Sequence, residues 1–400
     1  MDVVHNRPRL PSLTGLRFFA ALSVFIFHAM LPNSPIPPFL PVNFFADPQL
    51  AHNSAVVVGK LGFLGVSFFF ILSGFVLTWS WKEGQSKLLF IRRRIVKIFP
   101  NHLTLWVVCM VLFAAAITPW KSWLPNFFLI HAWFPQNYIN AGVNTPSWTL
   151  SCEFLFYVLF PFLVPLILRI PAKYLWYGAA AMVLGMAAVE LVNVHLIPSS
   201  EKSELTPIPV LQLWFGYLFP PVRLFEFFLG VFIARIVAEG RWLRVPIWAT
   251  LLGCLAGYLV AMYTPFVVGF FLATAIPLAL LIGAAATSDI EGRSRFLSSR
   301  FVVWLGDISF AFYICQGVAL FYVRHQMGDV AFSAPIAILV ILALFFLNIL
   351  MAWLLHTFVE SPAMRHLARP KRKPKPAAPA SVPVGVPVKP AIPQTHVAGD

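Results

Sequence analysis

Residues 336–355 read IAILVILALFFLNILMAWLL, twenty positions without an ionisable side chain. A helix of roughly 20 such residues crosses the ~30 Å hydrocarbon core of a bilayer. Membrane-crossing strands alternate apolar and polar residues, and this stretch does not alternate. It therefore predicts a helix, whose backbone satisfies its own hydrogen bonds where water is absent. Similar runs recur along the chain and predict ten spans, at 12–31, 61–81, 101–119, 148–168, 174–192, 221–239, 246–263, 266–287, 302–323 and 334–357. The expected fold class is all-α, a polytopic membrane helical bundle of about ten transmembrane helices.

Composition agrees. Of 400 residues, 59% are hydrophobic and 11% charged, with a mean hydropathy of +0.80; a soluble domain carries about 25% charged residues. The net charge of +14 raises the question of nucleic acid, but the basic residues sit in short clusters between apolar runs, so no nucleic-acid partner is expected. The first run lacks a small-residue cleavage site and is expected to remain as a span. Cys109, Cys152, Cys254 and Cys315 all fall in apolar runs without metal-ligand spacing, so they read as small core residues and no metal is expected.

Two shorter apolar stretches, 123–134 and 211–219, fall below spanning length, and both read as re-entrant or interfacial pieces. Pro220-Pro221 marks the start of the helix after the second. With a cytoplasmic N-terminus, 23 of the 29 Lys and Arg residues fall on the inside and 4 outside (Lys60, Lys121, Lys202 and Arg324). That asymmetry predicts a multi-pass inner-membrane protein with both termini cytoplasmic. The organisation is a membrane domain, 1–365, followed by a disordered Pro/Lys-rich tail, 366–400. The tail's RPKRKPK (369–375) suits the headgroups of anionic membrane lipids.

Ionisable groups inside spans are costly, so each is a functional candidate: Arg17, His28, Glu153, Glu190, Arg223, Glu226 and Asp307. Arg17 and His28 lie eleven residues apart on the first span, sharing a face about 16 Å apart along the axis. Glu153 is expected at the depth of His28, where a carboxylate hydrogen-bonded to the imidazole would orient a general base; a buried polar tie is the plain alternative. Arg223 and Glu226, three apart, read as an intrahelical ion pair, with acceptor binding as the alternative. FIRRRIVKIFPNH (90–102) reads as a cytoplasmic loop in which Arg93, Arg94 and Lys97 either set topology or hold a donor with several phosphates, such as acyl-CoA.

In this order and spacing the pieces resemble the acyltransferase 3 family of bacterial membrane O-acyltransferases, over most of 10–365. They are LTGLRFFAALSVFIFH (13–28), GFLGVSFFFILSGFVL (62–77), the arginine stretch, and PSWTLSCEFLFYVLFP (146–161). Weaker elements are RLFEFFLG (223–230), LGDISFAFYICQ (305–316) and VESPAMR (359–365). The resemblance implies functional roles for Arg17, His28, the Arg94 region and Glu153. In two departures, Lys97 stands where Arg is common in the family and Gln316 where many members have His, which leaves His28 to act alone. Some members carry a fused esterase-like domain; this chain is expected to act as a stand-alone member or with a separate partner.

The resemblance implies an enzyme of the EC 2.3.1 type. It would move an acyl group, acetyl above all, from acyl-CoA to a hydroxyl of a cell-surface or exported glycan, with polysaccharide biosynthesis machinery as a candidate partner. The alternatives are acylation of a small glycosylated metabolite such as a macrolide, and a glycan or lipid transporter. Acyl-CoA (acetyl-CoA) is then a substrate and no cofactor is bound. His28 and Glu153 are the catalytic candidates, Arg17, Arg93, Arg94 and Lys97 the donor-binding ones, and Arg223 and Glu226 the acceptor-binding ones. Ser147 and Ser151, near Glu153, read as capping or packing groups, with acyl relay as the alternative.

The charge asymmetry yields a topology prediction. Reporter fusions at Lys202 and after Pro370 are expected to report opposite faces of the membrane; the same face for both would overturn the count of ten spans.

Overall fold

The computed structural model describes residues 7–199, 201, 208–265, 269 and 271–368. Among the described residues ten long helices overlap the predicted spans: α1 (Pro11–Ala29), α2 (Leu61–Trp79), α3 (Lys87–Cys109), α4 (Trp148–Leu168), α5 (Leu175–Leu196), α6 (Pro220–Ala238), α7 (Ile247–Tyr263), α8 (Leu272–Ile290), α9 (Arg300–Gln316) and α10 (Ala334–Leu355). Eight helical stretches among the described residues are long and apolar enough to cross a membrane. The other two are α6, which carries Arg223, Glu226 and Arg235, and α7, which is only 17 residues long. The predicted tail from residue 369 onward, and Lys202, lie outside the described residues.

The largest helix-to-helix contact is between α2 and α6, and α1 packs on α2 and α9. Two glycines set the first approach. A Cβ on Gly74 would overlap the carbonyl oxygen of Phe227, and one on Gly230 that of Ile71. Small residues at such crossings let backbones touch where no hydrophobic effect drives helices together. The periphery is looser: α10 exposes Leu339 and Phe346 on its outer face, and α7 rests on α8.

Polar ties fix the core. Asp289 on α8 accepts from the Ser12 amide (2.9 Å) and hydroxyl (2.6 Å), satisfying donors at the N-terminus of α1. Asn348 of α10 donates to the Phe312 carbonyl of α9 at 2.9 Å.

The structure departs from the sequence reading in three places. The arginine stretch is not a loop: α3 begins at Lys87, with Ser86 as its N-cap, so Arg92, Arg93, Arg94 and Lys97 point around a helix. Beyond Cys109 a wider turn, Met110–Ala114, carries the helix on to Ile117. Second, the chain between α1 and α2 forms a helix, Pro48–Val58, capped by Asp47, that the sequence reading did not anticipate. Third, residues 123–134 and 211–219, read from the sequence as too short to span, carry short helical pieces of their own. They fold as Trp120–Phe127 with the turn His131–Trp133, and as Val210–Leu213 with the wide turn Trp214–Leu218. Pro220 does begin α6.

The α2–α6 crossing generates a stability prediction. Gly230→Leu is expected to destabilise the folded chain by at least about 1–3 kcal/mol through overpacking. Gly253→Ala, whose Cβ would meet only the Pro277 side chain at 3.5 Å, is expected to be neutral. Thermal midpoints in detergent decide it, and an unshifted Gly230→Leu would refute the close approach.

Candidate active site

The site is read most easily along α1, whose polar positions mark successive levels. At the first level Arg17 faces Glu153 of α4 across a cavity of about 30 Å³ that Phe70, Thr149 and Tyr313 also line. Glu153 accepts a hydrogen bond from the Tyr157 hydroxyl at 2.7 Å, one turn on. Arg17, Lys97 and Arg94 all lie within its electrostatic reach. Arg94 therefore turns into the bundle, its guanidinium 5.4 Å from the centroid of the Phe90 ring, while Arg92 stays exposed.

His28 defines the second level, three turns along. It is 9% exposed, and its ring meets Phe27 and Phe321, each at 5.3 Å between centroids. Its Nδ1 lies 2.6 Å from Oε1 of the fully buried Gln316 at the end of α9. The Gln316 Nε2 donates to the Ala21 carbonyl at 3.4 Å, so the amide oxygen is the atom turned toward the imidazole. An amide oxygen only accepts. The proton therefore sits on Nδ1, and Nε2 keeps its lone pair, the form a general base requires. Beside His28 opens a cavity of about 110 Å³ bordered by Val66, Trp148, Tyr217 and Tyr313. Val66 and Tyr313 line both this cavity and the smaller one, so a single wall separates the two levels.

The third level is a cavity of about 800 Å³, reached past Phe27, Leu31 and Phe63, which it shares with the His28 cavity. It is mainly apolar, with Lys60, His52, Arg324 and Asp329 among its polar borders.

The expected hydrogen bond between His28 and Glu153 is not formed: each has another partner, and Glu153 stands at the level of Arg17. The reason lies in the chain before α4. Asn126, His131, Asn144 and Ser147 are 0 to 2% exposed, so α4 starts inside the bundle rather than at its edge. Ser147 donates to the Asn144 carbonyl (2.6 Å), accepts from Asn126 (3.0 Å) and lies 3.2 Å from Nε2 of His131. Ser151 lies 3.3 Å from the other ring nitrogen. Burial pushes His131 down to about 3, so it stays neutral within this network. Both serines are tied into this network, Ser147 by three contacts and Ser151 by the one to His131.

Two further assignments change. Lys97 is not open to a donor: it pairs with Glu360, which also accepts from Asn101 at 2.6 Å. A carboxylate 2% exposed needs that counter-charge. Arg93 donates to the Ala368 carbonyl at 3.3 Å, which joins α3 to the helix Ser361–Leu367. Arg223 and Glu226 pair at 2.7 Å, 0% and 1% exposed, and border none of the three cavities. The Arg223 guanidinium is closed in by the rings of Phe70, Tyr217 and Phe271 at 4.8 to 5.1 Å, so it meets the His28 cavity only through Tyr217. The pair is the intrahelical tie that its spacing predicts.

Residues 10–357 match the family model described as Acyltransferase domain. The chain belongs to the acyltransferase 3 family. It is a multi-pass membrane acyltransferase of the EC 2.3.1 type. Acyltransferase MdmB of Streptomyces mycarofaciens is 37% identical over 93% of this chain and 95% of its own length. O-acetyltransferase OatA of Staphylococcus aureus is 24% identical over 90% of this chain, which spans only 58% of that protein. The O-acetyl transferase of Shigella phage Sf6 is 25% identical over 50% of this chain and 59% of its own length. No solved structure matches.

Among the residues that shape this acyltransferase's site, Gln316 entered the sequence reading only as a missing histidine, and Tyr157 and Tyr313 did not enter it at all. The Gln316 contact is testable. Gln316→Met should lower acyl transfer about tenfold or more, within the ~10²–10⁴-fold that a general base contributes, with folded yield unchanged. Gln316→His, which keeps a polar partner for Nδ1, should lose much less. Equal activity in the two variants would remove Gln316 from the mechanism.

Proposed function

We propose that this enzyme transfers an acyl group, acetyl above all, from acyl-CoA to a hydroxyl of a small, largely apolar glycosylated metabolite such as a macrolide. The observation that carries the reading is the sequence of three contiguous cavities, with His28 between a cationic end and a large apolar one. The cavity of about 800 Å³ falls in the range of roughly 300–1,000 Å³ that small-molecule sites occupy. The likeness to a relative of matching length supports the same reading, since 95% of MdmB is covered and 58% of OatA. O-acylation of a cell-surface glycan is the second reading, favoured by the relatives named O-acetyltransferase.

In this mechanism the phosphates of acyl-CoA meet Arg94 and Arg17, which Glu153 and Tyr157 hold in place. The Lys and Arg distribution supports taking that face as the cytoplasmic one. The pantetheine arm runs along α1 toward His28, and the wall of Val66 and Tyr313 must swing aside to let it pass. The acceptor occupies the large cavity and presents a hydroxyl to Nε2 of His28. As the hydroxyl oxygen attacks the thioester carbonyl, Nε2 takes its proton; the C–O bond forms, the C–S bond breaks and the CoA thiolate leaves. The imidazolium returns the proton to the thiolate. Gln316 holds the ring in place throughout.

Purified full-length enzyme with labelled acetyl-CoA tests the reading against macrolide glycosides and against surface-glycan fragments. Transfer to the macrolide glycosides is expected; transfer to glycan fragments alone would replace the first reading with the second. His28→Ala should lose about 10²–10⁴-fold of the activity with the same amount of folded protein. Near-wild-type transfer by that variant would return His28 to a packing role.

A further inference from the structure

A fourth cavity, of about 590 Å³, shares no lining residue with the three described above. α8 forms its floor through Leu278 and Leu281. Phe19 of α1 and Phe68 of α2 stand on one side, and Leu251 and Cys254 of α7 on the other. Phe19, Leu251 and Phe296 are 40%, 50% and 67% exposed, so its walls run on into the bundle's outer apolar surface. One end is crossed by the connection between α8 and α9, which contributes Arg293, Ser294 and Arg295. The Phe296 ring from that connection lies 6.3 Å from the Phe19 ring at the rim.

The charges at this end are unevenly engaged. Asp289 is occupied by Ser12, and Glu291 pairs with Arg293. Arg295 makes no ion pair among the described residues, and both arginines are exposed. The groove is therefore apolar along its length and cationic at one end only. An anionic phospholipid has the complementary form, with a hydrocarbon chain below a phosphate. A volume this size, lined by apolar side chains and open toward a bilayer, gains dispersion contacts when a hydrocarbon chain fills it. Arginine suits the phosphate because its donors match paired oxygens.

We propose that this groove binds one anionic phospholipid, an acyl chain lying between α7 and the α1–α2 face and the phosphate on Arg295 and Arg293. The site is independent of the acyl-transfer reading.

Native mass spectrometry of the full chain tests it, after exposure to equimolar phosphatidylglycerol and phosphatidylcholine with the same acyl chains. One retained phosphatidylglycerol per chain is expected, favoured about fivefold over the zwitterionic lipid, the contribution of one arginine charge. The double variant Arg293→Ala, Arg295→Ala should erase that preference. Leu251→Trp, at a half-exposed wall position, should reduce retention of both lipids; Cys254→Phe serves if that variant fails to fold. Glycerol phosphate, a headgroup without a chain, should not compete. Equal retention of the two lipids by the native chain would overturn the proposal, as would a preference that survives the double variant. Displacement by glycerol phosphate would also overturn it, by revealing a plain phosphate site.

Discussion

A charged or polar side chain inside a bilayer has no water to turn to, and in this bundle nearly every such group has found protein instead. Arg223 has Glu226, Lys97 has Glu360, Asp289 has Ser12 and His28 has Gln316. The ties that cross between helices, unlike the Arg223–Glu226 pair within α6, help decide which helix lies beside which, because apolar surfaces alone do not distinguish a neighbouring helix from a lipid tail. The glycine crossing of α2 and α6 then sets how closely the central helices approach. The exceptions are instructive. Both oxygens of Glu190 are buried without a hydrogen-bond partner, and the Nε atoms of Arg94 and Arg223 are among the others left unmatched.

Much of the architecture was legible in the sequence, because span length and hydrophobicity are local properties. Among the described residues ten helices overlap the predicted spans, the third starting fourteen residues early, at 87 instead of 101, and Pro220 opens α6 as its ring geometry favours. The arginine stretch was misread for an equally local reason: its charges suggested a solvated loop. Leu88, Phe90, Ile91, Ile95 and Ile98 nonetheless supply a helical apolar face, and Ser86 supplies the cap.

The site was legible in its parts and not in its pairings. Arg17 and Glu153 line one cavity and His28 the next, with Arg94 within electrostatic reach of Glu153. Depth counted from a predicted helix end placed Glu153 beside His28, but the 119–147 segment folds into the bundle and carries the start of α4 inward. A contact such as that between His28 and Gln316 joins residues 288 apart in sequence. No periodicity or spacing within one span encodes it.

The tie between Lys97 and Glu360 bears on how the protein is made. Its partners are 263 residues apart, and Asn101 and Arg93 also look to groups near the chain's far end. Chains emerge from the ribosome N-terminus first, at ~5–20 residues per second. The third helix thus waits for most of translation before its counter-ion exists. Until then its lysine must rest at the membrane surface or on a transient neighbour. Activity in a living cell should accordingly switch on late, when the last helix inserts and closes the bundle behind it.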